Sequence, residues 1–171
     1  MWAARALAIA SVVVVAVLHG LRPDVSPIAR GISRYAGGST LPLMTVAFLS
    51  LAAAIGIAAW TTRSWLLGIA AIAQAAVAAF PDANIPPARS LPHTIFGFVF
   101  FVTAVAGLHM AHRSSSAFLA WLPVAALLLF FASAAGMPVL ARVPGLLQRA
   151  VFLAIVAGLL TLPAVAYNPR P

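Results

Sequence analysis

The chain has no cysteine, no lysine and no glutamate, and its only acidic residues are Asp24 and Asp82. Without cysteine there is no disulfide, no thiolate metal site and no thiol nucleophile. Charge of either sign is scarce: 7% of the 171 residues are charged and 64% are hydrophobic. The mean hydropathy is +1.09. Soluble domains carry roughly 25% charged and 45–50% apolar residues, so a water-soluble fold is excluded. Long polar stretches are also missing, which leaves no material for a second domain outside a bilayer. Residues 1–171 therefore read as a single membrane-embedded domain.

The ten basic residues are all arginine and give a net charge of +8. Nucleic-acid binding would need them clustered on one solvated face. They stand singly at the ends of apolar runs instead, where Arg reaches the membrane interface and meets lipid phosphate. The expected partners are membrane lipids and not nucleic acid, with a homo-oligomer or another membrane protein left open. Arg5 followed by the apolar run Ala6 to Leu18 resembles the start of a secretory signal, but the run ends in His19-Gly20-Leu21-Arg22 without a small-x-small cleavage pattern. It reads as an uncleaved first helix.

Crossing the hydrocarbon takes about 20 apolar residues, with roughly 17 to 25 tolerated. Six segments qualify: Trp2 to Leu18, Leu41 to Trp60, Trp65 to Phe80, Pro92 or His93 to Met110, Phe118 to Ala135, and Leu146 to Ala166. They are apolar all round, without the strict alternation of a membrane barrel strand. Helices satisfy their own backbone in lipid, so the expected class is all-α, a polytopic bundle of six transmembrane helices. Small residues such as Ala52, Gly56, Gly97, Gly107 and Gly158 suit close packing within the bundle.

An even helix count places both termini on one side, with the short turns at Arg63 and at His112-Arg113, and three longer connections on the other. Arg5, Arg63, Arg113 and Arg170 then lie on the terminal side, and Arg22, Arg30, Arg34, Arg89, Arg142 and Arg149 on the loop side. Counted literally, the positive-inside rule puts the long loops in the cytoplasm. Both acidic residues share the loop side and can engage those arginines, so we expect a multi-pass protein of a prokaryotic plasma membrane with cytoplasmic termini.

Most candidates for chemistry also sit on the loop side. Between Val25 and Ala36 the apolar residues recur at helical spacing, Ser26 can cap, Pro27 suits a first turn and Gly37-Gly38 stops the helix. The pieces predict a short interfacial helix presenting Arg30 and Arg34 to a phosphate or carboxylate. The plain alternative is contact with bulk headgroups. Asp24 and Asp82 are functional candidates because ionisable residues are costly at a membrane, or else ion-pair partners or caps. His19 and His93 share their side, but no ligand motif such as H-E-x-x-H is present, and no metal or cofactor is expected. His109 and His112 read as an interfacial pair bonded to backbone carbonyls or water. Ser114-Ser115-Ser116 reads as a turn, not as an activated nucleophile.

Three stretches carry a resemblance. HGLRPDVSPIARGISRYA, from His19 to Ala36, resembles the first loop of the bacterial and archaeal DUF998 family, where a Pro, an acid, an Arg and an I-S-x-Y-A stretch recur. FPDANIPPARSLPHTIFGF, from Phe80 to Phe98, is similar to its F-P-x-D region followed by a His opening the fourth helix, and Gly145 to Arg149 fits its G-L-x-x-R start of the last helix. The resemblance implies six membrane helices with Asp24, Arg30, Tyr35, Asp82, His93 and Arg149 as marked residues. Here Asp82 directly follows Pro81, and Arg34 stands where an acid is often found. The family carries no established activity.

The leading expectation is a non-enzymatic protein that binds an anionic lipid headgroup or another anionic group through Asp24, Arg30, Arg34, Tyr35, Asp82, His93 and Arg149. An intramembrane enzyme for lipid-linked substrates, with Asp82 and His93 as acid and base, is the alternative. A small transporter is the third.

Overall fold

The computed structural model describes residues 1–81, 87–113 and 115–163. Asp82, Ser114, Arg170 and the last residues expected of the sixth helix lie outside the described residues. Six α-helices follow one another: α1 (Trp2–Leu21), α2 (Leu41–Thr62), α3 (Trp65–Ala79), α4 (Pro87–His112), α5 (Ala117–Ala134) and α6 (Pro144–Thr161). The described residues contain no strand.

Local chemistry explains the punctuation. Arg63 ends α2 in the left-handed region, at φ 56°, and the Ser64 hydroxyl accepts from the Leu67 N–H to start α3. Ser116 does the same for α5 through the Leu119 N–H. Proline stands in the first turn of α2 and of α6, where its missing N–H costs nothing. α4 begins at Pro87, ahead of the expected start at Pro92 or His93, and so carries Pro92 inside the helix. Only one ladder hydrogen bond is lost there, close to the helix start.

Sequential helices pack as neighbours, α1 closes the ring against α6, and α6 also touches α4 and α2. The last helix therefore packs against four others, and its Val151, Ile155 and Leu159 are fully buried in the same core as Leu51, Ile55 and Leu108. Five helices are long and apolar enough to cross a membrane. α3, with 15 residues, is about 22 Å long at 1.5 Å per residue. Gly107 and Gly158 mark close approaches: a Cβ on Gly107 would lie 2.8 Å from the Leu67 side chain, and one on Gly158 would lie 3.0 Å from Leu108. These small residues serve packing within the bundle, α4 on α3 and α6 on α4.

All four tryptophans, Trp2, Trp60, Trp65 and Trp121, are exposed and sit at the helix ends on the terminal side. Such a belt fits a membrane interface, where an indole has its ring in the acyl region and its N–H in the headgroups. The loop side has no tryptophan; there Ser33 and Tyr35 turn inward while Asp24, Arg30 and Arg34 stay exposed.

The short helix anticipated over residues 25–36 is there in reduced form. Ser26 caps a single turn, its hydroxyl accepting from Ala29 N–H while Arg30 N–H reaches the Ser26 carbonyl. Gly31 is then extended, and a 3-10 helix (Ile32–Ala36) follows. One continuous helix does not form because α6 takes up the backbone groups: Ile28 O accepts from Gly145 N–H and Leu146 N–H at 2.8 and 3.2 Å, and Ile32 N–H donates to Gln148. The segment does not lie flat. Ile32, Ser33, Tyr35 and Ala36 are buried and close one end of the bundle, while Arg30 and Arg34 stay exposed.

A Cβ on Gly145 would run into the backbone of Pro27 and Arg30. Gly145→Ala should therefore destabilise by about 1–3 kcal/mol, as overpacking does. Gly68 has nothing within 4 Å of its Cβ position, so Gly68→Ala should match or slightly exceed wild type, Ala being the better helix former by about 0.5–1 kcal/mol. Thermal unfolding in detergent reads both; a Gly145→Ala protein melting with wild type would refute the close approach.

Candidate functional site

The loop-side end of the bundle is organised around Arg149. Its Nη1 donates to the carbonyls of Pro27, Arg30 and Gly145 at 2.7, 2.8 and 2.9 Å, and its Nη2 to the Tyr35 hydroxyl at 2.7 Å. The guanidinium carbon also lies 5.3 Å from the centre of the Tyr35 ring. A guanidinium can only donate, so the Tyr35 oxygen accepts from it, and the same hydroxyl is hydrogen-bonded to the His19 Nδ1, 2.8 Å away. The chain Arg149–Tyr35–His19 ties α6, the 3-10 helix and the end of α1 together, with Tyr35 fully buried.

A second tether lies nearer the surface. Arg22 binds Asp24 through both carboxylate oxygens at 2.8 and 2.7 Å and donates to the Gly37 carbonyl at 3.0 Å. The hydrogen bonds to Arg22 hold the Asp24 carboxyl below the usual carboxylate range, and Arg22 is raised in turn. The Asp24 side chain is 63% exposed, so this pair braces the loop and is not buried in a site.

The expected site residues thus fall into separate places. Tyr35 and Arg149 form the anchor and line, with His19 and Pro27, a cleft of about 260 Å³ between α1 and α6. Asp24 is paired with Arg22. Arg30 contributes its backbone carbonyl to the anchor. Asp82 lies outside the described residues. Arg34 and His93 come together elsewhere, in the wall of a cavity of about 530 Å³.

That cavity is amphipathic. Ser33 and Arg34 enter from the first connection, His93 and Thr94 from α4, and Gln148 from α6. Phe98, Phe101, Phe130 and Phe131 make its apolar wall, with Phe98 on Phe131 and Phe101 on Phe130 at centroid distances of 5.5 and 5.7 Å across α4 and α5. His93 Nδ1 is 2.7 Å from the Phe80 carbonyl. A carbonyl only accepts, so the hydrogen is on Nδ1 and Nε2 keeps its lone pair when the ring is neutral. Among the described residues, no three His or Asp side chains come together as a metal site would require.

Reasoning on the sequence missed Ser33, Thr94, Gln148 and the buried Gln74. Gln74 had a usable signal: it is the one polar residue within the apolar run of α3, and polar groups in a membrane helix are costly. Gln148 stood beside Arg149 in the G-L-x-x-R stretch. At the other end of the bundle both histidines of the second pair meet backbone carbonyls, His109 Nδ1 at 3.1 Å from Ala120 O and His112 Nε2 at 2.9 Å from Gly158 O, but His112 is buried within the bundle, 1% exposed, and not interfacial as expected.

The family model described as a protein of unknown function, DUF998, matches residues 6–165. No curated protein and no solved structure matches the chain.

Truncating Arg149 leaves the Pro27 and Arg30 carbonyls and the Tyr35 hydroxyl without their donor, so Arg149→Leu should lower stability by about 3 kcal/mol or more. Tyr35→Phe, which removes one oxygen and keeps the ring, should cost about 0.5–1.5 kcal/mol. Thermal unfolding in detergent should rank them in that order; the reverse order would show that Arg149 does not hold this end together.

Proposed function

The chain belongs to the DUF998 family, and from that premise we propose that it is a membrane-embedded, non-catalytic binding protein for an anionic amphiphile such as a lipid. The observation that carries this reading is the cavity of about 530 Å³ with one polar and one aromatic wall, within the roughly 300–1,000 Å³ common for small-molecule sites. Arg34, in the cavity wall, supplies the positive charge that draws a phosphate or carboxylate there. Gln148 adds a neutral donor, and the phenylalanines of α4 and α5 take the apolar part of the ligand. Arg30, exposed nearby, adds to the positive field at the mouth, while Arg149 and Tyr35 hold the connection that carries Arg34 in place.

A second reading has one specific observation behind it. His93 Nε2 keeps a lone pair in the cavity wall because Nδ1 is committed to Phe80 O, which suits a general base acting on a lipid-linked substrate. Turnover of such a substrate, abolished in His93→Gln while binding persists, would select the enzyme over the binder.

Native mass spectrometry of detergent-purified protein titrated with phosphatidylglycerol tests the binder. Arg34→Gln should bind about tenfold more weakly, the equivalent of ~1.4 kcal/mol, with unfolding temperature measured in parallel. Arg113→Gln, at the opposite end of the bundle, should bind as wild type does. Equal retention by Arg34→Gln would overturn the reading.

The same reading places the cavity mouth on the outer face of a prokaryotic plasma membrane, with cytoplasmic termini. The absence of native cysteine makes this testable: in intact cells an impermeant maleimide should label Ser39→Cys, and Ser115→Cys only after permeabilisation. The opposite pattern inverts the topology.

A further inference from the structure

Beneath the amphipathic cavity lies a smaller chamber of about 40 Å³, large enough for a hydroxyl-sized group. Ser33, His93, Gly97, Phe101 and Gln148 belong to both walls, so the chamber adjoins the cavity on its inner side. Gln74 of α3 completes it, among apolar side chains that include Phe48, Val77 and Phe152.

The polar groups here are not satisfied by the protein. Gln74 is 2% exposed and Ser33 7%. Among the described residues, neither the Gln74 amide nor the Ser33 hydroxyl makes a hydrogen bond. Gln148 has its carboxamide oxygen committed to Ile32 N–H at 2.7 Å, which leaves its NH₂ as a donor. Buried polar groups are expensive when unpaired, and an isolated one in an apolar helix is hard to retain without a partner. Three neutral groups, Gln74, Ser33 and Gln148, together with the His93 ring border one small space and define what fits there. The Gln74 amide and the Ser33 hydroxyl both donate and accept, Gln148 donates, and His93 Nε2 accepts. A hydroxyl, with one hydrogen and two lone pairs, can donate to one of these groups and accept from two others.

Charge is divided from this space. Arg34 lines the outer cavity and not the chamber, where a phosphate would exceed the volume and find no guanidinium. We propose that the chamber is a second subsite that takes an uncharged hydroxyl of the ligand, so that the cavity selects an anionic amphiphile whose headgroup carries a hydroxyl beyond its charge. This rests on the amphiphile-binding reading above and names its headgroup class.

Phosphatidylglycerol and phosphatidic acid with the same acyl chains separate the two ideas, because the first carries headgroup hydroxyls and the second a bare phosphomonoester of greater charge. A purely electrostatic site would favour phosphatidic acid. In native mass spectrometry, wild type should hold phosphatidylglycerol about tenfold more tightly. Gln74→Leu should lose that preference by weakening phosphatidylglycerol about tenfold with phosphatidic acid unchanged. Ser33→Ala should show a smaller loss of the same kind. Since Gln74→Leu replaces an unpaired amide with an apolar group of similar size, its unfolding temperature should equal or exceed that of wild type, which separates lost selectivity from misfolding. Equal binding of the two lipids by wild type, or an undiminished preference in Gln74→Leu, would overturn the hydroxyl subsite alone. Failure to hold either lipid would overturn the amphiphile-binding reading with it.

Discussion

The loop-side architecture depends on one guanidinium. Arg149 gathers the carbonyls of Pro27, Arg30 and Gly145 and the hydroxyl of Tyr35, and through Tyr35 it reaches His19 at the end of α1. Remove it, and the first connection loses its side-chain donor from α6 and keeps the backbone bonds of Ile28 to Gly145 and Leu146 and that of Ile32 to Gln148. Ser33 and Arg34 reach the cavity only because that connection is held there, so the anchor and the cavity are mechanically one device with different tasks. The closeness of Gly145 to the Pro27 and Arg30 backbone belongs to the same device, since a side chain there would push the carbonyls out of reach.

The choice of arginine over lysine has a physical sense at this point. A guanidinium offers five donors in a fixed plane and keeps its charge under all conditions, whereas an ammonium is a compact point charge on a flexible stem. Spanning three carbonyls and a phenol needs the fork. Arg22 repeats the pattern, joining Asp24 to the Gly37 carbonyl, and at the opposite end Arg5 donates to the Leu162 carbonyl just beyond α6 at 2.9 Å. In a low-dielectric bundle, backbone carbonyls released from helices need donors. Among the described residues Arg149, Arg22 and Arg5 meet that need, and Arg34 lines the cavity wall.

Much of the architecture could be read before any coordinates. Apolar runs of membrane-spanning length, proline at their edges and the absence of alternation left only a helical bundle, and five helices have spanning length while α3 is shorter. Sites were less legible. Arg30, Arg34 and Arg149 look equivalent as letters, yet one contributes chiefly through its backbone, one lines a cavity and one anchors a loop. Hydropathy reports the cost of a charge in lipid but not the direction in which it is discharged. The neutral residues Ser33, Gln74 and Gln148 were weaker still as signals, because their cost depends on burial and on unmet hydrogen bonds, and neither quantity exists until the helices pack.

What the chain determines by itself is its solvent and its secondary structure. Backbone groups in hydrocarbon must pair within their own segment, a local requirement that composition and run length already answer. Which polar residues meet is a different matter. Residues 27–35 and 145–149 are separated by more than a hundred positions, and their pairing rests on α6 packing beside α1 and presenting its first turn to the first connection. That juxtaposition divides the polar residues of the loop side into an anchor, a surface ion pair and a cavity. Only the tertiary structure could decide it, because the partners of a buried donor are fixed by packing and not by its neighbours in sequence.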